Sequence, residues 1–131
     1  MSEPGFLNVE QVEWLHQVAI DRFGGSHGLR DRLQLEGAVF HPRNVYYYAQ
    51  GDLFDVAAAY AFHISEAQAF LDGNKRTAIA AALVFLDSNG IAIPSDTQRL
   101  YDAMIGISEK RVSKANLAAL LRELATDPHD S

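Results

Sequence analysis

The sequence predicts an all-α fold, a compact bundle of about six helices around two central ones. Three observations carry that expectation. Apolar residues recur at three- and four-residue spacing along most of the chain. Capping residues and glycine or proline stops divide those segments. Alternating runs of β-branched and aromatic residues are scarce. The 131 residues fit one domain over 1–131, with a frayed tail expected from about 126 to 131. An apolar content of 48% suffices for a core. The formal charge of −6 argues against direct nucleic-acid binding, which favours a basic face. There is no cysteine, so disulfides and thiolate metal sites are excluded. No apolar run reaches the length of a membrane span. Met1 to Leu7 lacks a charged-then-apolar leader pattern, and a cytoplasmic location is expected.

The first helix is predicted to open at Asn8, with Gln11 completing a capping box and Leu7 with Val12 forming a hydrophobic staple. Val9, Val12, Leu15, Val18 and Ala19 give its apolar stripe, Trp14 is read as a core residue, and Gly24-Gly25 end it. Gly28 to Asp31 reads as a loop. Leu33, Leu35, Ala38, Val39 and Phe40 predict a short helix stopped near His41 by Pro42. Tyr46-Tyr47-Tyr48 reads as strand-like or as an aromatic patch, partly buried against the core.

Asp52 is the next N-cap, with Asp55 complementing the helix dipole. Val56, Ala57, Tyr60, Ile64 and Ala67 form a stripe on a slim, alanine-rich central helix that carries His63 as a structural residue. A second central helix runs from about Lys75 to Asn89 and stops at Gly90. Ile91 to Pro94 is an extended link. Ser95 with Gln98 makes a further capping box before the helix of Leu100, Ala103, Met104 and Ile107. Ser113 opens the last helix, whose apolar face is Leu117, Leu120, Leu121 and Leu124.

Between the two central helices lies Phe70-Leu71-Asp72-Gly73-Asn74-Lys75-Arg76-Thr77. Gly73 permits a tight turn, and Asn74 reads as the N-cap of the following helix. The unpaired amides at that helix start, together with Lys75 and Arg76, suit a phosphate. Asp72 suits a divalent cation that a phosphate would bring. The five histidines show no metal-ligand spacing, and no Gly-x-Ser-x-Gly elbow occurs.

This run resembles the Fic/Doc family motif, His-x-Phe-x-Asp/Asn-Gly-Asn followed by Gly-Arg in Fic AMP-transferases or Lys-Arg in the Doc (death-on-curing) toxins. The chain has the Doc ending, Lys75-Arg76, and Gln68 stands at the histidine position. Leu35 to Val39 with Pro42-Arg43 resembles the Doc stretch that covers one side of the active cleft. The resemblance spans about Gly24 to Leu124 and implies the Fic/Doc-like helical fold.

It also implies a type II toxin that acts as a protein kinase. ATP and Mg²⁺ would be cofactors, elongation factor Tu the target, and an antitoxin would place its C-terminal segment in the cleft. Under it Gln68, Lys75 and Arg76 are the catalytic positions. Gly73, Asn74, Lys75 and Arg76 bind the nucleotide, the Asn74 side chain lining the phosphates. Asp72 holds the metal, and Phe70 anchors the loop from inside. A glutamine cannot take a proton near pH 7, and that loss costs about 10² to 10⁴ in rate. His63 does not substitute, being about 7.5 Å along the helix and roughly 140° around it. Two alternatives stay open: a catalytically degenerate module that binds a nucleotide or antitoxin peptide, and an AMP-transferase, against which Lys75 in place of glycine argues.

Overall fold

The computed structural model describes residues 3–94 and 97–125. The Ser95–Gln98 capping box and the tail from 126 fall outside the described residues. Among them stand six helices and no strand: α1 Val9–Phe23, α2 Arg32–Tyr47, α3 Leu53–Ala67, α4 Asn74–Ser88, α5 Thr97–Ser108 and α6 Lys114–Ala125. None is long and apolar enough to cross a membrane.

The two alanine-rich helices are central, as their composition predicts. α3 packs on α2, α4, α5 and α6, and α4 on α1, α3 and α5. Ala57, Ala58, Ala59, Ala78, Ala81 and Ala82 are buried, so the two backbones approach closely. Tyr60 and Phe85 fill the space beside them, ring centroids 5.2 Å apart. The Tyr60 hydroxyl accepts the Leu7 N–H at 2.8 Å, which ties the segment before α1 to the core. Leu7 and Val12 are both buried beside the Asn8–Gln11 capping box.

Three expectations are corrected. Trp14 is 62% exposed and Val18 also faces solvent. The buried face of α1 is Val12, Leu15, His16, Ala19 and Ile20, because only one narrow stripe meets the bundle. α2 does not stop at Pro42 but runs through it to Tyr47. The proline forfeits one helical hydrogen bond, about 3 kcal/mol. It is itself buried on the face of Leu35, Ala38 and Val39, and that packing offsets the loss. The tyrosine triplet is therefore the end of α2: Tyr46 is partly buried, whereas Tyr47 and Tyr48 are exposed. Asp31, read only as loop, caps α2 by accepting the Gln34 N–H at 3.1 Å. Arg122 of α6 pairs with Asp52 at 3.0 Å and Asp55 at 2.9 Å, fastening α6 to the start of α3.

His63 is half-buried on α3, its ring 4.0 Å from that of His41 on α2. Its Nε2 is 3.2 Å from Lys114 Nζ on α6, and Glu66 borders the same small cavity. Burial above all, then His41 and Lys114, push His63 down to about 4. A base whose folded pKa is depressed takes its proton more readily when unfolded. Above about pH 6.5 neither state is protonated, so stability falls as pH drops from about 6.5 to about 4 and then levels off. With solvent screening allowed for, the loss is about 1 to 2 kcal/mol. Urea unfolding across that window should show the slope, and His63→Gln should leave only the shallower part due to His16 and His41, which burial also lowers.

Candidate functional site

The loop between α3 and α4 is built from two left-handed residues. Gln68 ends α3 at φ 45°, with its carbonyl accepting from the Arg30 guanidinium. Gly73 precedes α4 at φ 76°, where glycine carries no steric cost. A Cβ there would sit 2.9 Å from Ile20 Cδ1, so a larger residue would be strained and would push that side chain aside. Gly73, and not Asn74, is the N-cap; Asn74 is the first residue of α4. The Asn74 amide turns back instead. Its Oδ1 accepts the Phe70 N–H at 3.1 Å, and its Nδ2 donates to the Phe70 carbonyl at 3.0 Å. Those two bonds clamp the loop, and Asn74 also borders the cavity. As a result no side chain caps α4, whose first amides are left for a guest.

Phe70 is buried, and its ring stacks on His16 at 3.8 Å with planes 7° apart. His16 Nε2 lies 2.8 Å from the Asp72 carbonyl. A carbonyl only accepts, so His16 donates from Nε2. Burial lowers its pKa despite that hydrogen bond. The loop before α2 braces the same corner. Arg30 and Asp31 N–H groups donate to the Ala69 carbonyl, Leu71 N–H donates to the Gly28 carbonyl, and Ser26 N–H donates to Asp72 Oδ2 at 3.0 Å.

Gln68, Asp72, Gly73, Asn74, Lys75 and Arg76 all border one cavity of about 300 Å³, so the site residues expected from the sequence are brought together. The cavity opens at the start of α4. Arg76 Cζ lies 3.9 Å from the Phe23 ring centroid and 4.6 Å from that of Tyr101. The two rings steady the guanidinium at the border of the cavity. Leu35 to Arg43 borders other cavities and has no residue on this one. Sequence reasoning missed His16, Phe23, Ser26, Ser65 and Tyr101. His16 alone left a signal, a polar residue in phase with the buried stripe of α1.

Chemically, the corner favours an oxyanion: uncapped amides, an ammonium and a guanidinium converge on it. One Asp72 oxygen takes the Ser26 amide, and the other is available to a cation. Among the described residues no group of three or more His, Cys, Asp or Glu is placed to hold a metal. A cation here therefore needs further ligands from its own anionic guest, the habit of magnesium with phosphates.

The sequence model of the Fic/DOC family matches residues 6–86. The chain belongs to the Fic/DOC family. It is 34% identical over 119 residues to "Protein kinase doc" of Escherichia phage P1, covering 90% of this chain and 94% of that protein. It is 36% identical over 124 residues to "Toxin Doc" of Mycolicibacterium smegmatis, covering 92% and 93% respectively. The Fic/DOC match takes in α1 to α4 as far as Leu86, hence both walls of the motif loop. Tyr101, the α5 residue that steadies Arg76, lies beyond it.

Proposed function

We propose that this Fic/DOC protein is a Doc-like toxin of a toxin–antitoxin pair. Its cavity binds ATP with Mg²⁺ and transfers the γ-phosphate to a hydroxyl of elongation factor Tu, which slows translation. The observation that carries the proposal is the convergence of Asp72, Lys75, Arg76 and the uncapped end of α4 on one cavity. The names of its two relatives, one a protein kinase and the other a toxin, support it.

Phosphoryl transfer depends mainly on positioning and on stabilising charge at the phosphate oxygens. The amides of Gly73 to Arg76 bind those oxygens. Lys75 and Arg76 neutralise charge that develops during transfer, and the rings of Phe23 and Tyr101 keep Arg76 from swinging into solvent. Asp72 is the residue that would hold Mg²⁺, held in place through its carbonyl by His16 and through its carboxylate by Ser26. A bound Mg²⁺ supplies charge neutralisation between the phosphates. Gln68 orients the attacking hydroxyl but cannot take its proton, so transfer by the chain as it stands is slow. A second reading, favoured by Gln68 alone, is a module that binds a nucleotide or an antitoxin's C-terminal segment without efficient turnover.

Labelled ATP tests the proposal. Label in the γ position should pass to elongation factor Tu, and Asp72→Ala should reduce the rate about a hundredfold, the several kcal/mol that a metal ion contributes. Transfer of an α label instead would make the chain an AMP-transferase. No transfer in either form, with ATP still bound, would favour the binding module.

A further inference from the structure

We propose that Ser65 is a phosphate-binding residue of this cavity, its hydroxyl donating to an oxygen of the bound polyphosphate; this rests on the reading of the cavity given above. Ser65 sits on α3 three residues before Gln68, on the same face of the helix. It is 6% exposed and borders the motif cavity. Its hydroxyl makes no hydrogen bond among the described residues.

That is unusual for a helical serine. Ser88 donates to the Phe85 carbonyl at 3.1 Å, and Ser108 to the Met104 carbonyl at 3.3 Å, each closing on its own helix. Ser65 forgoes that local partner although it is far more buried than an ordinary surface serine. The Ser65 oxygen is not among the buried polar atoms left without a partner, so it opens on the cavity and is left to whatever fills it, water or a guest. The chemistry of that guest follows from what surrounds the cavity. The same cavity is bordered by the start of α4 with its uncapped amides and by Lys75 and Arg76, all donors. A guest rich in acceptors satisfies these donors and the hydroxyl at once, and a phosphate oxygen can take hydrogen bonds from several sides. Ser65 therefore extends the anion site from the α4 terminus to α3. The same hydroxyl lies one turn from the position where a proton acceptor is absent, so it binds the group and does not carry out the transfer.

Calorimetric titration with inorganic tripolyphosphate and with Mg²⁺–ATP tests this on the full chain, beside thermal melting. Ser65→Ala should weaken both ligands about three- to tenfold, the loss of one neutral hydrogen bond, while the melting temperature stays within a degree or rises. Ser65→Asp, which sets a negative charge against the guest, should weaken both by more than tenfold. Equal affinity of Ser65→Ala and wild type for both ligands overturns the proposal and leaves the ATP reading intact. Ser65-dependent binding of tripolyphosphate with no gain from the adenosine moiety supports the proposal and removes the nucleotide reading. Recovery of phosphorylated Ser65 after incubation with ATP would make the hydroxyl an acceptor of the transferred group, and overturns the proposal.

Discussion

Gln68→His is expected to raise γ-phosphate transfer by about 10² to 10⁴, the range a positioned general base contributes. The backbone favours this exchange. Gln68 sits at φ 45°, and histidine tolerates the left-handed region better than most side chains. The loop around it is fixed from both sides, by Arg30 on the Gln68 carbonyl and by Asn74 on Phe70. The imidazole would therefore enter a prepared cavity without repacking it. Because proton removal matters only as the hydroxyl attacks, kcat should rise with little change in KM for ATP. The rate should also gain a pH limb near about 6.5, absent from the chain with Gln68. Cells expressing the variant should grow more slowly. Rates that stay equal in a γ-label assay would contradict the role given to this position.

Asn74→Ala is expected to lower stability by about 2 to 4 kcal/mol, because two part-buried backbone groups of Phe70 lose their partners together. That is a large share of a typical domain's total. The same loss frees the corner that aims the amides at the cavity, so ATP affinity should fall as well. Asn74→Asp separates the two effects. It keeps an acceptor for the Phe70 N–H and should recover about half the stability. It also places a negative charge on the cavity lining, so binding should not recover. Urea unfolding and calorimetric titration of the three forms check this. If Asn74→Ala binds ATP normally, the loop does not need its clamp.

What the sequence disclosed was what short-range chemistry decides. The capping box at Asn8, the N-cap at Asp52 and the glycine stops at Gly24 and Gly90 involve neighbours within a turn, and each stands where it was expected. The alanine content of α3 and α4 disclosed the centre of the bundle, since small residues are useful only where backbones meet. The motif residues were found together for a similar reason: Asp72 to Arg76 are contiguous. The misses lie where distant packing overrides a local rule. Pro42 is a strong stop in isolation, yet its ring is buried with Val39 and the helix continues. Trp14 looks like core on hydropathy alone, yet the phase of α1 is set by the helices beneath it. Asn74 is a good cap by composition, but Gly73 in the left-handed region takes that position and frees the asparagine for Phe70. His16 reaches a carbonyl 56 residues away, and Tyr101 reaches Arg76 from α5, pairings that no local pattern encodes.

Nuclear magnetic resonance titration of the isotope-labelled chain with Mg²⁺–ATP tests the central claim most directly. The backbone amides of Gly73, Asn74, Lys75 and Arg76 should shift first and furthest, saturably, and the Lys75→Ala form should show much smaller changes. Shifts that are absent at millimolar ATP, or that gather around His41 and His63 instead of the start of α4, would contradict the account.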